Sequence, residues 1–310
     1  MSHAQSLSSN STNVRFLFQT LLKRAGLGAS ALLAPGLAGL WAERLFLTPP
    51  RPRYPSSEFF DLIDARQSFL RHRGRHIATW RWGAADAPAV LLVHGWGGRA
   101  TQMRRFVAHL AAAGYRVIAY DQPAHGLSDG KLTGLPDFAD VLSAVGRHHG
   151  NVRAVISHSL GGPATAIALA RGLAVERAVL ISPPSDLVGY SRRFARWLAL
   201  PERVRRSMQA AIEERFGVRW SELEMSRVAP RLRAEALVIH DRHDTQVPWK
   251  QGAALARHWP GARLMSTRGL GHGRILEDDA VARAAVDFIA GRSAVAQTAL
   301  PSLPNPAPLL

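Results

Sequence analysis

Beyond about residue 58, short unbroken apolar runs alternate with longer stretches whose apolar residues recur every three or four positions. The unbroken runs are Ala89–Val93, Val117–Tyr120, Val152–Ile156, Ala178–Ile181, Ala236–Ile239 and Arg263–Met265. Runs of strand length without polar alternation suit parallel strands covered on both faces. Between them the helical period predicts helices over Gln102–Ala113, Asp137–Arg147, Leu160–Arg171, Gln251–His258 and Asp279–Ile289. Strand alternating with helix predicts an α/β sheet with right-handed crossovers, and the polar–apolar alternation of His76–Trp82 predicts an antiparallel edge strand.

One interval breaks the rhythm. From Ile181 to Ala236 the pattern is mostly helical, over Tyr190–Leu198, Glu202–Phe216 and Trp220–Met225, and is too long for one crossover. It reads as an inserted helical lid. The chain then divides into an amino-terminal helical or apolar segment with a linker (1–57), an α/β core in two pieces (58–184 and 235–291), the lid (185–234) and a disordered Ala/Pro-rich tail (292–310). Thr48–Pro55, with its four prolines, reads as a stiff extended linker.

The amino-terminal segment affects the expected location. Ala25–Ala42 carries no charge, yet it is rich in Gly and Ala and contains Pro35, whereas a spanning helix needs about 20 apolar residues. No small-residue cleavage pattern follows a short apolar core, which argues against a cleaved secretory signal. The expectation is a helix docked on the body or lying on a membrane surface, so the protein is expected in the cytoplasm with residues 14–47 as a candidate peripheral membrane contact.

Composition narrows the classes further. There are no cysteines, hence no disulfide, thiolate metal site or cysteine nucleophile. The net charge of +16 comes from 36 arginines and only 3 lysines, mostly scattered and without interleaved base-stacking aromatics. No nucleic-acid partner is therefore expected. With no Glu/His pair at ligand spacing on a helix, no metal is expected either, and no cofactor.

Ligands in open α/β sheets bind beyond the carboxyl ends of the strands. Those ends read His94-Gly95-Trp96-Gly97-Gly98, Asp121-Gln122-Pro123-Ala124-His125-Gly126, Ser157-His158-Ser159-Leu160-Gly161, His240-Asp241-Arg242-His243-Asp244-Thr245-Gln246-Val247-Pro248 and Gly269-Leu270-Gly271-His272-Gly273. A serine hydroxyl needs a base to take its proton, and a position between strand and helix would set Ser159 at a helix amino terminus, where backbone N–H groups favour negative charge.

In the order Ser, Asp, His, this set resembles the α/β-hydrolase family, in its serine-hydrolase branch with a helical lid, over about Ile77–Ile289. Ser157-His158-Ser159-Leu160-Gly161 matches the nucleophile elbow G-x-S-x-G except that Ser157 replaces the first glycine. The resemblance implies the α/β-hydrolase fold, a mostly parallel central sheet with helices on both faces, and a triad of Ser159, Asp244 and His272. The backbone N–H groups of Trp96 and Leu160 would form the oxyanion hole. Asp244 is preferred because its spacing to Val247-Pro248 fits the family's acid loop; Asp241 and Asp186 are the alternatives. His94, His125, His158, Tyr190 and Trp197 are candidate pocket residues. The expected activity is hydrolysis of a small-molecule ester through an acyl-enzyme on Ser159. The alternatives are a thioesterase, lipase or peptidase of the same fold, or a non-catalytic binding protein.

Overall fold

The computed structural model describes residues 34–52, 54, 58, 62 and 64–292. The Ser/Asn/Thr-rich start, residues 25–33 of the uncharged stretch and the tail beyond residue 292 lie outside the described residues. The chain divides into two compact units, one built from residues 49–185 and 223 onward, the other from residues up to 48 together with 186–222.

The larger unit is built on one eight-stranded sheet. Its strands are β1 (Arg66–His72), β2 (Arg75–Trp82), β3 (Ala89–Val93), β4 (Arg116–Tyr120), β5 (Val152–His158), β6 (Arg177–Ile181), β7 (Glu235–Asp241) and β8 (Arg263–Thr267). They lie in the order β1-β2-β4-β3-β5-β6-β7-β8. From β4 to β8 every pairing is parallel, whereas β2 runs antiparallel to both β1 and β4. β3 is flanked by β4 on one side and β5 on the other, so the chain turns outward in opposite directions from this strand. A crevice opens at such a reversal, beyond the carboxyl ends of β3 and β5.

The predicted strands lie within the observed ones, and the continuous apolar runs have the expected cause. Val90, Leu92, Ala154, Ile156, Val179, Ile181, Leu237 and Ile239, at alternate strand positions, face one core cluster. Phe106 and Leu110 of α2 (Arg105–Ala112) join it, as do Val281, Ala285 and Ile289 of α8 (Asp279–Ile289). The intervening residues Leu91, Val155, Leu180 and Val238 are equally buried, as strands covered on both faces require. Three further helices of two turns or more belong to this unit: α3 (Leu135–His149), α4 (Gly161–Ala170) and α7 (Trp249–His258).

β1 was not predicted. Its residues Arg-Gln-Ser-Phe-Leu-Arg-His are mostly exposed, so no buried face imposes a period on them. The strand is specified by the two-residue turn Arg73-Gly74, both at positive φ, which suits a tight hairpin.

The smaller unit joins α1 (Pro35–Phe46), α5 (Leu187–Trp197), α6 (Glu202–Phe216) and a short turn at Trp220–Glu222. α1 meets α6 where Gly39 lies against Ser207, with Ala38 and Ala42 fully buried. Glu43 is buried and ion-paired with Arg215. Phe46 holds an aromatic cluster together, its ring 5.0 Å from Phe194, 5.7 Å from Tyr190 and 6.0 Å from Trp220. Leu37, Leu40 and Trp41 stay exposed. No helix among the described residues is long and apolar enough to cross a membrane.

These units redraw the expected boundaries. The apolar helix belongs with the inserted helices rather than standing apart, because its buried alanines and Phe46 pack there. Residues 223–234 belong with the sheet, where Leu223, Met225, Val228 and Leu232 are buried. The stiff extended linker expected at Thr48–Pro55 is anchored at Arg51, whose guanidinium donates to the carbonyls of Gly126, Ser128 and Gly130.

Candidate active site

The turn from β5 into α4 holds the first component. Ser159 adopts φ +50°, a left-handed conformation that costs a non-glycine residue about 1–2 kcal/mol. Its N–H donates to the carbonyl of Ile181 at the end of β6 (2.9 Å), and its own carbonyl accepts from Gly162 (2.8 Å). Backbone bonds on both sides therefore hold the strained residue. A Cβ on Gly161 would lie 2.9 Å from the Val93 carbonyl oxygen, so only glycine lets α4 begin so close to β3. Ser157, in the position of the missing first glycine, is fully buried and its hydroxyl donates to the Val179 carbonyl (3.2 Å). That bond satisfies the extra polar group and shows how serine is accommodated there.

The loop after β3 lies against this turn. A Cβ on Gly95 would approach the Ser159 Cβ to 2.7 Å. Two buried imidazoles fix the loop. His94 accepts from the Gln122 N–H (2.9 Å) and donates through Nδ1 to the Gly95 carbonyl (2.7 Å). His125 accepts from the Gly97 N–H (2.9 Å) and donates through Nδ1 to the Pro123 carbonyl (2.9 Å). Each ring thus has one donating and one accepting nitrogen, the pattern of a neutral histidine. Burial pushes His94 well below its ordinary range and His125 down to about 4. The amides of Trp96 and Leu160 donate to no group among the described residues. The Trp96 ring stacks on Phe138 (6.4 Å) and meets His125 edge-on (5.5 Å).

The loops after β7 and β8 bring the remaining pair together. His272, in a single helical turn (Gly271–Arg274), directs Nδ1 to the Oδ2 of Asp244 at 2.7 Å. The other carboxylate oxygen, Oδ1, accepts from the N–H groups of Gln246 and Val247, both at 2.9 Å. Although burial pushes Asp244 up, the bonds from His240, His272 and Val247 outweigh it and hold the carboxyl well below the usual range. Asp241, the alternative acid, is committed elsewhere. It accepts from the His243 and Leu270 N–H groups and the Thr267 hydroxyl, tying the acid loop to the strand and loop that lead to His272. Asp186 caps α5 by accepting from the Gly189 N–H (2.7 Å).

His158 joins the two halves of the site. Its Nε2 donates to the backbone carbonyl of His272 (2.9 Å), and the two rings lie 4.7 Å apart. Burial, then the neighbouring His272, push His158 down to about 3, so it acts as a neutral donor. Of the candidate pocket residues, His94, His125 and His158 are thus engaged in fixing loops. Tyr190 and Trp197 lie on α5 of the smaller unit, 41% and 42% exposed.

Sequence reasoning missed two contributors. His240 lies 3.3 Å from the Oδ2 of Asp244 while also donating to the Val247 carbonyl (2.9 Å). Its place four residues before the acid was the available signal. Asp121, fully buried, accepts from the Ala100 and Leu127 N–H groups and the Tyr54 hydroxyl, anchoring the loops after β3 and β4. Among the described residues no group of acidic and histidine side chains is arranged to hold a metal ion.

Comparison with known proteins places this arrangement. Residues 90–285 match the model of the alpha/beta hydrolase family. The chain is 39% identical over 127 residues to the magnesium-chelatase 30 kDa subunit of Rhodobacter capsulatus, covering 39% of this chain and 44% of that protein. It is 36% identical over 110 residues to a bifunctional esterase/perhydrolase of Acinetobacter calcoaceticus, covering 33% and 40% respectively. The matches thus span less than half the length of either relative. In fold, it is similar to an esterase of Pyrococcus furiosus, with a TM-score of 0.61, 20% identity and coverage of 79% of this chain and 99% of that one. It is also similar to an esterase from Rhodococcus sp., with a TM-score of 0.56, 20% identity and coverage of 74% and 100%. With a family match running from β3 into α8 and a sheet whose reversal at β3 sets Ser159 beyond the strand ends, the chain belongs to the alpha/beta hydrolase family.

Proposed function

We propose that this protein is a serine hydrolase that cleaves a small-molecule ester through an acyl-enzyme on Ser159. The observation that carries the reading is the 2.7 Å bond between His272 and a buried Asp244 whose other oxygen is held by two backbone amides. Such a carboxylate fixes the imidazole with Nδ1 protonated and leaves Nε2 as the base. In this reading Ser159 Oγ attacks the ester carbonyl as His272 takes its proton. The Trp96 and Leu160 amides, which have no other acceptor among the described residues, receive the developing oxyanion. His272 then protonates the departing alcohol, and water releases the acyl group by the same path in reverse. Each oxyanion donor in such a site is worth about 10²–10³ in turnover. The esterase/perhydrolase relative and the esterases of similar fold support a carboxylic ester as substrate class.

The test is hydrolysis of p-nitrophenyl esters and the matching thioesters of graded chain length by wild type and Ser159→Ala. Ester turnover that disappears in the variant supports the reading, and the chain-length optimum defines the acyl group. A preference for thioesters would move the substrate class, and turnover unchanged in the variant would exclude Ser159 as nucleophile.

A further inference from the structure

At the opposite end of the parallel strands from Ser159, a cavity of about 520 Å³ is lined by Arg66, Gln67, Ser68, Arg81, Arg116 and His149, with Ala85 and His148 completing it. Arg66 and Arg81 are direct partners in the β1–β2 register. Like charges set opposite each other on antiparallel strands repel. Neither has an ion-pair partner among the described residues. Arg116 opens β4 and is 6% exposed. Its two terminal nitrogens cap the end of α3 and tie down the β2–β3 loop, donating to the carbonyls of His149, Gly150 and Ala85.

Two polar atoms of the lining are buried with no hydrogen-bond partner among the described residues, the Nε of Arg116 and the Nε2 of His149. Native interiors rarely leave such atoms unsatisfied, and each uncompensated one weakens the fold. Burial, then Arg81, lowers the proton affinity of Arg116. Burial, then His148, Arg116 and Arg81, push His149 down to about 4. The acid whose charge acts on Arg116 is Asp86, an exposed loop residue with no ion pair of its own among the described residues.

We propose that this cavity is a binding site for a small phosphate-bearing anion, separate from the active site. Three guanidinium groups match the charge of a phosphate or diphosphate, whereas a single carboxylate would leave most of the repulsion in place. Guanidinium groups also pair with phosphate oxygens through two parallel bonds. The concave shape and a lining without Phe, Tyr or Trp fit a compact ligand rather than a nucleic-acid strand. Bound there, the anion would neutralise the Arg66–Arg81 pair and supply acceptors to the orphaned N–H groups.

The experiment follows the melting temperature of the full-length protein with inorganic phosphate, pyrophosphate and glycerol phosphate, at ionic strength held constant with sodium chloride. It is run in parallel on Arg66→Ala/Arg81→Ala, which leaves the capping Arg116 intact. Wild type is expected to gain roughly 5 °C at a hundredfold excess of ligand over Kd, the gain rising with the logarithm of ligand concentration. The double variant is expected to lose the response while melting no lower than wild type without ligand, because a repulsive pair has been removed. A larger rise with glycerol phosphate assigns an organic phosphate; a larger rise with pyrophosphate assigns the free anion. An absent rise in wild type, or an equal rise in the double variant, overturns the proposal. The readout does not involve Ser159, so it stands or falls independently of the esterase reading.

Discussion

His240 Nε2 lies 3.3 Å from the Oδ2 of Asp244, the same oxygen that His272 meets at 2.7 Å, so one carboxylate oxygen serves two imidazoles. The ring is fully buried, donates also to the Val247 carbonyl, and leaves its Nδ1 without a partner among the described residues. In the proposed mechanism it acts through Asp244, as a positioning residue. His240→Phe is expected to lower kcat about tenfold and to move the acidic limb of the pH–rate profile upward, whereas His240→Gln, which keeps a donor, restores most of both. A profile unchanged in His240→Phe would reduce the contact to packing.

In the proposed mechanism Asp244 itself orients the base. Asp244→Asn keeps the shape of the side chain but presents an amide where an acceptor is needed, and it is expected to lower kcat by about 10⁴. Circular dichroism would show whether the variant is folded, and KM would change far less than kcat. Asp241→Asn acts differently. It loosens the loop carrying His272 through Leu270 and Thr267, so lower stability accompanies a smaller loss of turnover.

The loop glycine next to Ser159, the proposed nucleophile, has no room for a side chain. In Gly95→Ala the new Cβ would meet the Ser159 Cβ at 2.7 Å. Shifting the loop also shifts the Trp96 amide, so kcat is expected to fall by at least about 10² while the protein still folds. Steady-state kinetics beside the melting temperature separate these effects.

Acid stability follows from the buried neutral histidines. Folding depresses His125 to about 4 and His158 to about 3, from an unfolded value near 6.5. Between those values the unfolded chain binds more protons than the folded one. The stabilisation is therefore complete above about pH 6.5 and is lost as the pH falls toward 4, on the order of 3 kcal/mol for His125 alone. Melting temperature against pH from 7 to 4.5 checks this, and a flat curve would contradict it.

The parts most legible in the sequence are those fixed by strong local physics. Strands covered on both faces must be continuously apolar, so β3 to β7 could be found; β1, an exposed edge strand, gives no such signal. Asp244 could be preferred over Asp241 because its spacing to Val247-Pro248 resembles the family's acid loop, and the structure sets Asp244 on His272. The contacts of His158 and Asp121 were not legible, because each joins segments that only the folded sheet brings together, whereas that of His240, four residues before the acid, is local and was open to reading. The grouping of α1 with α5 and α6 was hidden for the same reason. An uncharged stretch looks alike whether it meets lipid or other helices.

The most direct test of the account is intact-mass and peptide-mapping analysis after reaction with a fluorophosphonate. The account predicts a single phosphonyl adduct on the peptide containing Ser159, absent from Ser159→Ala and much slower to form in His272→Ala. No adduct on the folded wild-type protein, or an adduct that persists in Ser159→Ala, would contradict it.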